Sequence, residues 1–391
     1  MNTHSGAFRL DVERAVRARY NDAAQAREEA LCCPVNYDTR YLEAIPKEVL
    51  ERDYGCGDPS RHVRPSDTVL DLGSGGGKIC FIAAQIVGPQ GKVIGIDMND
   101  EMLDLARRSA PQVAERVGYA NVSFQRARIQ DLALDLDRVD AWLAEQPVRS
   151  ASDLAALEAF SDELRRDAPL VPDASVDIVV SNCVLNLVRP AEKSKLVRET
   201  FRVLRRGGRI AISDIVSDEP IPQDLQDDPE LWSGCISGAF QEQELLRELE
   251  AAGFYGIAID SREPEPFRVV RGIEFRAVTI TATKGKQGPC YEANQAVIYR
   301  GPWKQVEDDD GHVLRRGERA AVCAKTFRIL SSEPYADQII PVEPRVPIPE
   351  AERELFDCSR TPARHPRESK GLEYSVTTEA DASPCAPGTC C

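Results

Sequence analysis

Between a short apolar run and an amphipathic stretch, residues 71–77 read DLGSGGG. This Gly-rich turn is the feature that most narrows the fold. Glycine permits a tight turn and close approach of a ligand to the backbone, and a helix that follows offers its N-terminus to an anionic group. From Thr68 the chain repeats this strand-then-helix pattern. Apolar runs at 68–73, 92–97, 121–125, 175–188, 209–215, 255–261 and 275–284 predict strands. Stretches 76–87, 100–118, 190–205 and 241–252 carry helical periodicity, several ending at glycine. Such alternation predicts an α/β fold, a doubly wound, mainly parallel sheet of seven strands.

The flanking segments differ. Residues 8–31 predict a charge-rich helix that stops at Pro34, and residues 1–60 form an N-terminal cap segment containing Cys32, Cys33 and Cys56. The sheet domain is expected over 61–285. Its excursion at 134–172 reads as two charged helices around Pro147 over one face or edge of the sheet. From 286 to 345, short strands between Gly-Pro and Asp-Gly turns predict a small β-rich domain. Residues 346–391 are Pro-rich and polar, end SPCAPGTCC, and are expected to be a mobile tail.

A net charge of −15 repels phosphate backbones and anionic lipids, which argues against nucleic-acid and membrane partners. No run of about 18 apolar residues predicts a membrane span. The N-terminus lacks the apolar core of a secretory signal, so the expected location is the cytoplasm. There thiols stay reduced. The twelve cysteines are therefore expected as packing groups, metal or metalloid ligands, or redox partners. No feature suggests an obligate assembly, and a monomer is the default expectation.

The spacing Gly73, Gly75, Gly77 departs from the dinucleotide fingerprint, in which the third glycine comes three residues after the second. Asp97 closes the next strand about 20 residues on, where a carboxylate can hold ribose hydroxyls. Ligands in such sheets sit at the carboxyl ends of the strands. SNCVLNL (181–187) puts Cys183 there, WSGCISGA (232–239) offers Cys235 among small residues, and YGCG (54–57) offers Cys56 between glycines. Each could be a small buried hydrophobe. Zinc is a rival, but it prefers four ligands with a close Cys pair, which these three lack. Three soft thiolates suit a soft, three-coordinate centre.

DLGSGGG followed by GIDM (95–98) resembles the class I methyltransferases. The resemblance implies that S-adenosylmethionine is bound by the loop Asp71, Gly73, Ser74, Gly75 and Gly77, with the glycines making room for its methionine moiety. Asp97 would hold the ribose, Met98 the adenine, and Ile129 and Gln130 would face the adenine. The Cys32-Cys33 pair, YGCG, SNCVLNL and WSGCISGA together resemble the arsenite methyltransferases over most of 30–285. NQAVIYRGPW (294–303) through VCAKTFRIL (322–330) resembles that family's C-terminal domain. This implies As(III) bound by Cys56, Cys183 and Cys235. Cys32 or Cys33 would serve a disulfide relay cleared by a thioredoxin- or glutathione-type thiol reductant. The 134–172 insertion departs from the family pattern. Asn182 is placed to contact the cofactor or, like Asn186, to cap the turn, and Cys80 is expected in the core. Cys290, Cys323 and Cys358 have no role on this reading, and DDDGH (308–312) reads as a hairpin turn. The alternative is a class I methyltransferase acting on oxygen, nitrogen or carbon of a small organic metabolite, with packing cysteines.

Overall fold

The computed structural model describes residues 16, 19–21, 35–52, 54–359 and 362–371. Cys32, Cys33, Cys385, Cys390 and Cys391, with most of the expected 8–31 helix, lie outside the described residues. The chain divides into two compact units, Met1–Gly285 and Lys286–Cys391.

In the first unit the strands are β1 (Thr68–Leu72), β2 (Lys92–Asp97), β3 (Val122–Arg126), β4 (Val176–Asn182), β5 (Leu204–Ser217), β6 (Phe254–Arg262) and β7 (Ile273–Lys284). They lie in the order β3-β2-β1-β4-β5-β7-β6, and two short strands pair at the side of β5 and β7. The first five are parallel, and β7 runs antiparallel between β5 and β6. This is the expected seven-stranded doubly wound sheet.

Side chains alternate across each strand. Val69 joins Phe81 and Ala84 of helix α1 (Lys78–Val87) and Leu103 of α2 (Asp100–Val117) in one core. Leu70 and Leu72 point the other way, into a core with Leu196 and Val197 further along the chain. A sheet covered on both faces needs near-continuous apolar strands, and β4 is buried throughout. The apolar run 175–188 nevertheless does not continue as one strand. Cys183 turns left-handed at φ 63°, and Leu185–Leu187 form a single 3-10 turn. Periodicity could not distinguish these conformations, because all of them are buried.

The 134–172 excursion folds as α3 (Leu136–Glu145) and α4 (Ala151–Asp167). Its ends are tied together, with Leu170 N donating to Ala133 O and Val171 N to Leu132 O, both at 3.0 Å. Trp142 stacks on Phe160 between the two helices. Arg126, on the edge strand β3, pairs with Asp137 at 2.9 Å. Two further long helices of this unit are α5 (Pro190–Val203) and α6 (Glu242–Ala251). Leu245 and Leu249 of α6 join α5 in the second core.

In the second unit β8 (Ala296–Tyr299) pairs antiparallel with β11 (Arg319–Ala321) and β12 (Ile339–Val342). The hairpin β9 (Gln305–Glu307) and β10 (Val313–Arg315) is closed by DDDGH, where Asp308 accepts a 2.8 Å hydrogen bond from His312 Nδ1. Helix α7 (Ala324–Leu330) supplies Phe327 and Leu330 to a core with Val297 and Tyr299. Residues expected to belong to a mobile tail are tied to this unit as far as 371. Ala321 N donates to Pro362 O at 2.8 Å, Arg364 N to Arg319 O at 2.7 Å and Arg345 N to Ser369 O at 2.7 Å. These bonds are non-local, so no periodicity in the segment announces them.

Candidate active site

The strand order reverses between β1 and β4, and crevices at such a switch point open at the carboxyl ends of the strands. Register makes those ends level. Leu72 of β1 is opposite Ile96 of β2 and Ser181 of β4, and Asn182 of β4 is opposite Ser213 of β5. Gly73, Asp97, Asn182 and Asp214 therefore lie at the same end of the sheet.

On the β1–β2 side the Gly-rich turn is held by two hydrogen bonds: Ser74 N donates to Ile96 O at 2.9 Å, and Gly75 N to Asp97 Oδ2 at 2.8 Å. The other Asp97 oxygen accepts from Asn99 N at 2.8 Å. Burial raises the Asp97 carboxyl above its ordinary value, against the lowering effect of these amides. The crevice is lined by Asp71, Gly73, Ser74, Gly75, Asp97, Met98, Ile129, Gln130, Asn182 and Cys183. Gly77 stands apart from the other expected cofactor residues. It is absent from the lining, begins α1 at φ 92°, and a Cβ there would lie 2.7 Å from Phe124 Cζ.

S-adenosylmethionine fits this side on two observations. A Cβ at Gly75 would meet nothing within 4 Å, so the backbone is bare toward open space. Ser74 Oγ is buried without a hydrogen-bond partner among the described residues, a condition that a polar ligand relieves.

The cysteines occupy the other side. Cys56, Cys183 and Cys235 are buried cysteines in one cluster. The sulfurs of Cys56 and Cys183 and a carboxylate oxygen of Asp214 lie within 4.8 Å of one another. The Cys183 thiol also interacts with that of Cys235. Cys235 Sγ donates to Cys183 O at 3.1 Å, and Cys56 Sγ to Ser213 O at 3.6 Å.

Local backbone sets these positions. The two glycines around Cys56 allow its turn to press against the sheet. A Cβ on Gly55 would lie 2.3 Å from Asn182 Nδ2, and one on Gly57 would lie 2.5 Å from Ser213 Oγ. Asn182 Oδ1 accepts from Cys56 N at 2.9 Å and Gly57 N at 3.2 Å, while its Nδ2 donates to Gly57 O at 2.9 Å and Tyr37 OH at 3.1 Å. Cys183 and Cys235 are both left-handed, at φ 63° and 60°. That conformation costs a non-glycine residue roughly 1–2 kcal/mol, and such strain clusters at functional sites.

The Cys235 thiol is pushed well above its ordinary range by the Cys183 thiol and then by burial. At Cys183 the Cys235 thiol lowers the value, but the Cys56 thiol and burial outweigh it, and the net shift is also strongly upward. Both shifts favour the protonated thiols at Cys183 and Cys235.

Sequence reasoning passed over Asp214 and Tyr20 here. Asp214 accepts from Leu185 N at 2.9 Å and Ile215 N at 2.8 Å, and burial raises its carboxyl to about 7. The signal available was a lone acid in the apolar run RIAISDI. Tyr20 OH lies 3.7 Å from Cys235 Sγ, and nothing in its local sequence marks it. Asn186 Nδ2 donates to Ile215 O at 2.6 Å and Cys235 O at 3.2 Å, fastening the Cys235 segment to β5. Cys80 is in the core, as expected, and donates to Asp71 Oδ2 at 3.2 Å.

Residues 64–166 and 160–253 match a family described as "Methyltransferase domain". The arsenite methyltransferase of Aquipseudomonas alcaligenes is 31% identical over 311 residues, which cover 75% of this chain and 78% of that protein. The chain belongs to the arsenite methyltransferase family. The human arsenite methyltransferase is 28% identical over 367 residues, covering 90% of this chain and 88% of that one. Among solved structures, an arsenic(III) S-adenosylmethionine methyltransferase from Chlamydomonas reinhardtii superposes with a TM-score of 0.55 at 25% identity. The match covers 83% of this chain and 100% of that chain. Membership of this family makes the chain an S-adenosylmethionine-dependent methyltransferase. Residues 286–374 match a family described as "Domain of unknown function (DUF8838)". Among the described residues no helix is long and apolar enough to cross a membrane.

Proposed function

We propose that this chain transfers a methyl group from S-adenosylmethionine to trivalent arsenic held by Cys56, Cys183 and Cys235. The observation that carries the reading is the meeting of three buried cysteines, from three separate segments, beside the Gly-rich crevice. The relatives' names support the choice of acceptor over a small organic metabolite.

Arsenous acid is neutral, and burial favours neutral thiols at Cys183 and Cys235. Three As–S bonds form and three As–OH bonds break, each hydroxide leaving as water with one thiol proton, so no external base is needed. Arsenic keeps its lone pair on the side away from the three sulfurs. Bound S-adenosylmethionine supplies an electrophilic methyl carbon whose sulfur takes the bonding pair as the methyl leaves. In this reading Asp97 accepts from the ribose hydroxyls, the bare backbone at Gly75 and the Ser74 hydroxyl receive the methionine end, and Met98, Ile129 and Gln130 face the adenine. Cys183 lines the crevice itself, so the chain's contribution is chiefly proximity and alignment. Asn182, at the edge of the crevice, holds the Cys56 turn.

Methylation raises arsenic formally to the pentavalent state. The thiol of Cys32 or Cys33 attacks the Cys56 sulfur: the S–S bond forms, the Cys56 S–As bond breaks leaving its electron pair on arsenic, which returns to the trivalent state, and the attacking thiol's proton is released. A thioredoxin- or glutathione-type reductant in the cytoplasm then reopens that disulfide by thiol exchange. The protein acts as a monomer in this scheme.

The test is As(III)-dependent transfer from labelled S-adenosylmethionine with a thiol reductant, comparing wild type with Cys183→Ser and Cys235→Ser. Wild type is expected to give methylated arsenic and both variants at least 100-fold less, with cofactor affinity within about 3-fold. Variants as active as wild type would sink the trithiolate site. Cofactor binding without any arsenic product would sink the acceptor.

A further inference from the structure

A second cluster of thiols lies wholly within the unit Lys286–Cys391. Cys290, Cys323 and Cys358 are each free, and their sulfurs lie within 4.8 Å of one another. They come from positions more than 30 residues apart in sequence. Hydrogen bonds between the three segments bring them together: Phe356 N donates to Cys290 O at 2.9 Å, Ala324 N to Tyr291 O at 2.8 Å and Glu292 N to Glu354 O at 2.8 Å. The Cys323 sulfur is itself oriented, accepting from Thr326 N at 3.3 Å as the cap of α7.

A packing role does not account for the cluster. The apolar core of this unit is built from Val297, Tyr299, Leu314, Phe327 and their neighbours, and contains none of the three cysteines. Cys323 is buried, whereas Cys290 and Cys358 are only half-buried, so the group is open on one side. Among the described residues no His, Asp, Glu or further Cys joins the group. Zinc asks for four ligands. Three thiolates around a divalent ion would also leave a net negative charge on a chain already at −15. A soft trivalent centre needs only the three sulfurs and leaves the group neutral, with its lone pair on the open side.

We propose that Cys290, Cys323 and Cys358 form a second binding site, separate from the methyl-transfer centre, that takes one trivalent arsenic as a trithiolate. Arsenous acid enters by the same condensation: three As–S bonds form, three As–OH bonds break, and three waters leave with the thiol protons, with no change of oxidation state. The site is a holding site, since among the described residues of its unit nothing beside it resembles the Gly-rich crevice. It supplies an assigned feature to the region matched only as a domain of unknown function.

The experiment is arsenic stoichiometry on the full chain, reduced with a phosphine. Arsenous acid is the probe, and bound metal is counted after dialysis. Cys290→Ser, Cys358→Ser and Cys183→Ser are each expected to lose one equivalent per chain, and Cys290→Ser with Cys183→Ser to lose two. X-ray absorption at the arsenic edge is expected to show three sulfur neighbours in Cys183→Ser as in wild type. Cys323→Ser keeps a capping hydroxyl on α7 and serves as a third variant should either half-buried position disturb folding, which urea midpoints report. Unchanged stoichiometry in all three variants of this cluster overturns the proposal. So does one equivalent of zinc, added alone, that depends on these cysteines and resists displacement by arsenous acid. Loss at Cys290 without loss at Cys183 would instead fault only the reading of the first site.

Discussion

The side-chain carbonyl of Asn182, the last residue of β4, accepts a 2.9 Å hydrogen bond from the backbone N–H of Cys56, 126 positions earlier in the chain. The same amide also binds Gly57 at both N–H and C=O. One side chain thus fixes the turn that carries one candidate arsenic thiol against the strand end that carries another. Asn182→Leu keeps the volume and removes the bonds, leaving buried backbone groups unmet at a cost of about 1–3 kcal/mol. As(III) affinity is expected to fall at least 10-fold while affinity for S-adenosylmethionine changes less than 3-fold. Equal loss of both ligands in titrations would contradict the assignment of Asn182 to the thiol turn.

Gly73 and Gly75 are two residues apart and should respond differently to alanine. Both have positive φ, at 68° and 50°, so each substitution carries roughly 1–2 kcal/mol of backbone strain. A Cβ at Gly73 would also lie 2.5 Å from Val184 Cγ1, beside Cys183, whereas one at Gly75 meets nothing. Gly75→Ala is therefore expected to fold with a modestly lower urea midpoint and to weaken S-adenosylmethionine binding. Gly73→Ala should lose more stability and disturb As(III) binding as well. Equal midpoints would show that Val184 yields freely.

Lys193 on α5 is buried, donates to Gly238 O at 2.8 Å and lies 3.8 Å from the Phe240 ring centre. Burial lowers its ammonium to about 8 from an ordinary value of 10.5. Between those values the unfolded chain holds the proton and the folded chain releases it. Deprotonation thus favours the fold: the penalty is complete below pH 8 and is relieved as pH rises toward 10.5. Unfolding free energies of wild type and Lys193→Met should diverge in wild type's favour by about 1–3 kcal/mol from pH 7.5 to 10.5. Thiol ionisation affects both proteins alike and cancels in the difference. A difference that stays flat with pH would show that the lysine is not desolvated.

Cys80 tests whether a buried cysteine near the crevice must be a reacting one. Burial and then the Asp71 carboxylate push its thiol well above the ordinary range, which makes it a poor nucleophile. Cys80→Ser keeps a donor to Asp71 and should retain methyl transfer within about 3-fold. Cys80→Val removes that donor and should cost about 1 kcal/mol of stability. A serine variant without activity would place Cys80 in the thiol chemistry.

Read alone, the sequence determined the repeat of strand and helix, the Gly-rich turn and the position of three cysteines next to strand ends. These are legible because burial on two faces and the conformational freedom of glycine leave local marks, in apolar runs and in G-x-G-x-G spacing. Tertiary structure decided the rest. Gly77 is required by packing at the start of α1, where a Cβ would meet Phe124 and Phe81. Asn182 serves the Cys56 turn because sheet order brings residues 55–57 to the end of β4. The left-handed turns at Cys183 and Cys235 are held by bonds to neighbouring segments, Cys183 N to Ser213 O and Asn186 Nδ2 to Cys235 O, and local propensity would not favour them. Cys290, Cys323 and Cys358 show no ligand spacing, since three long-range backbone contacts gather them. Periodicity records which side of an element is buried, whereas which distant segments meet is set by strand order and register.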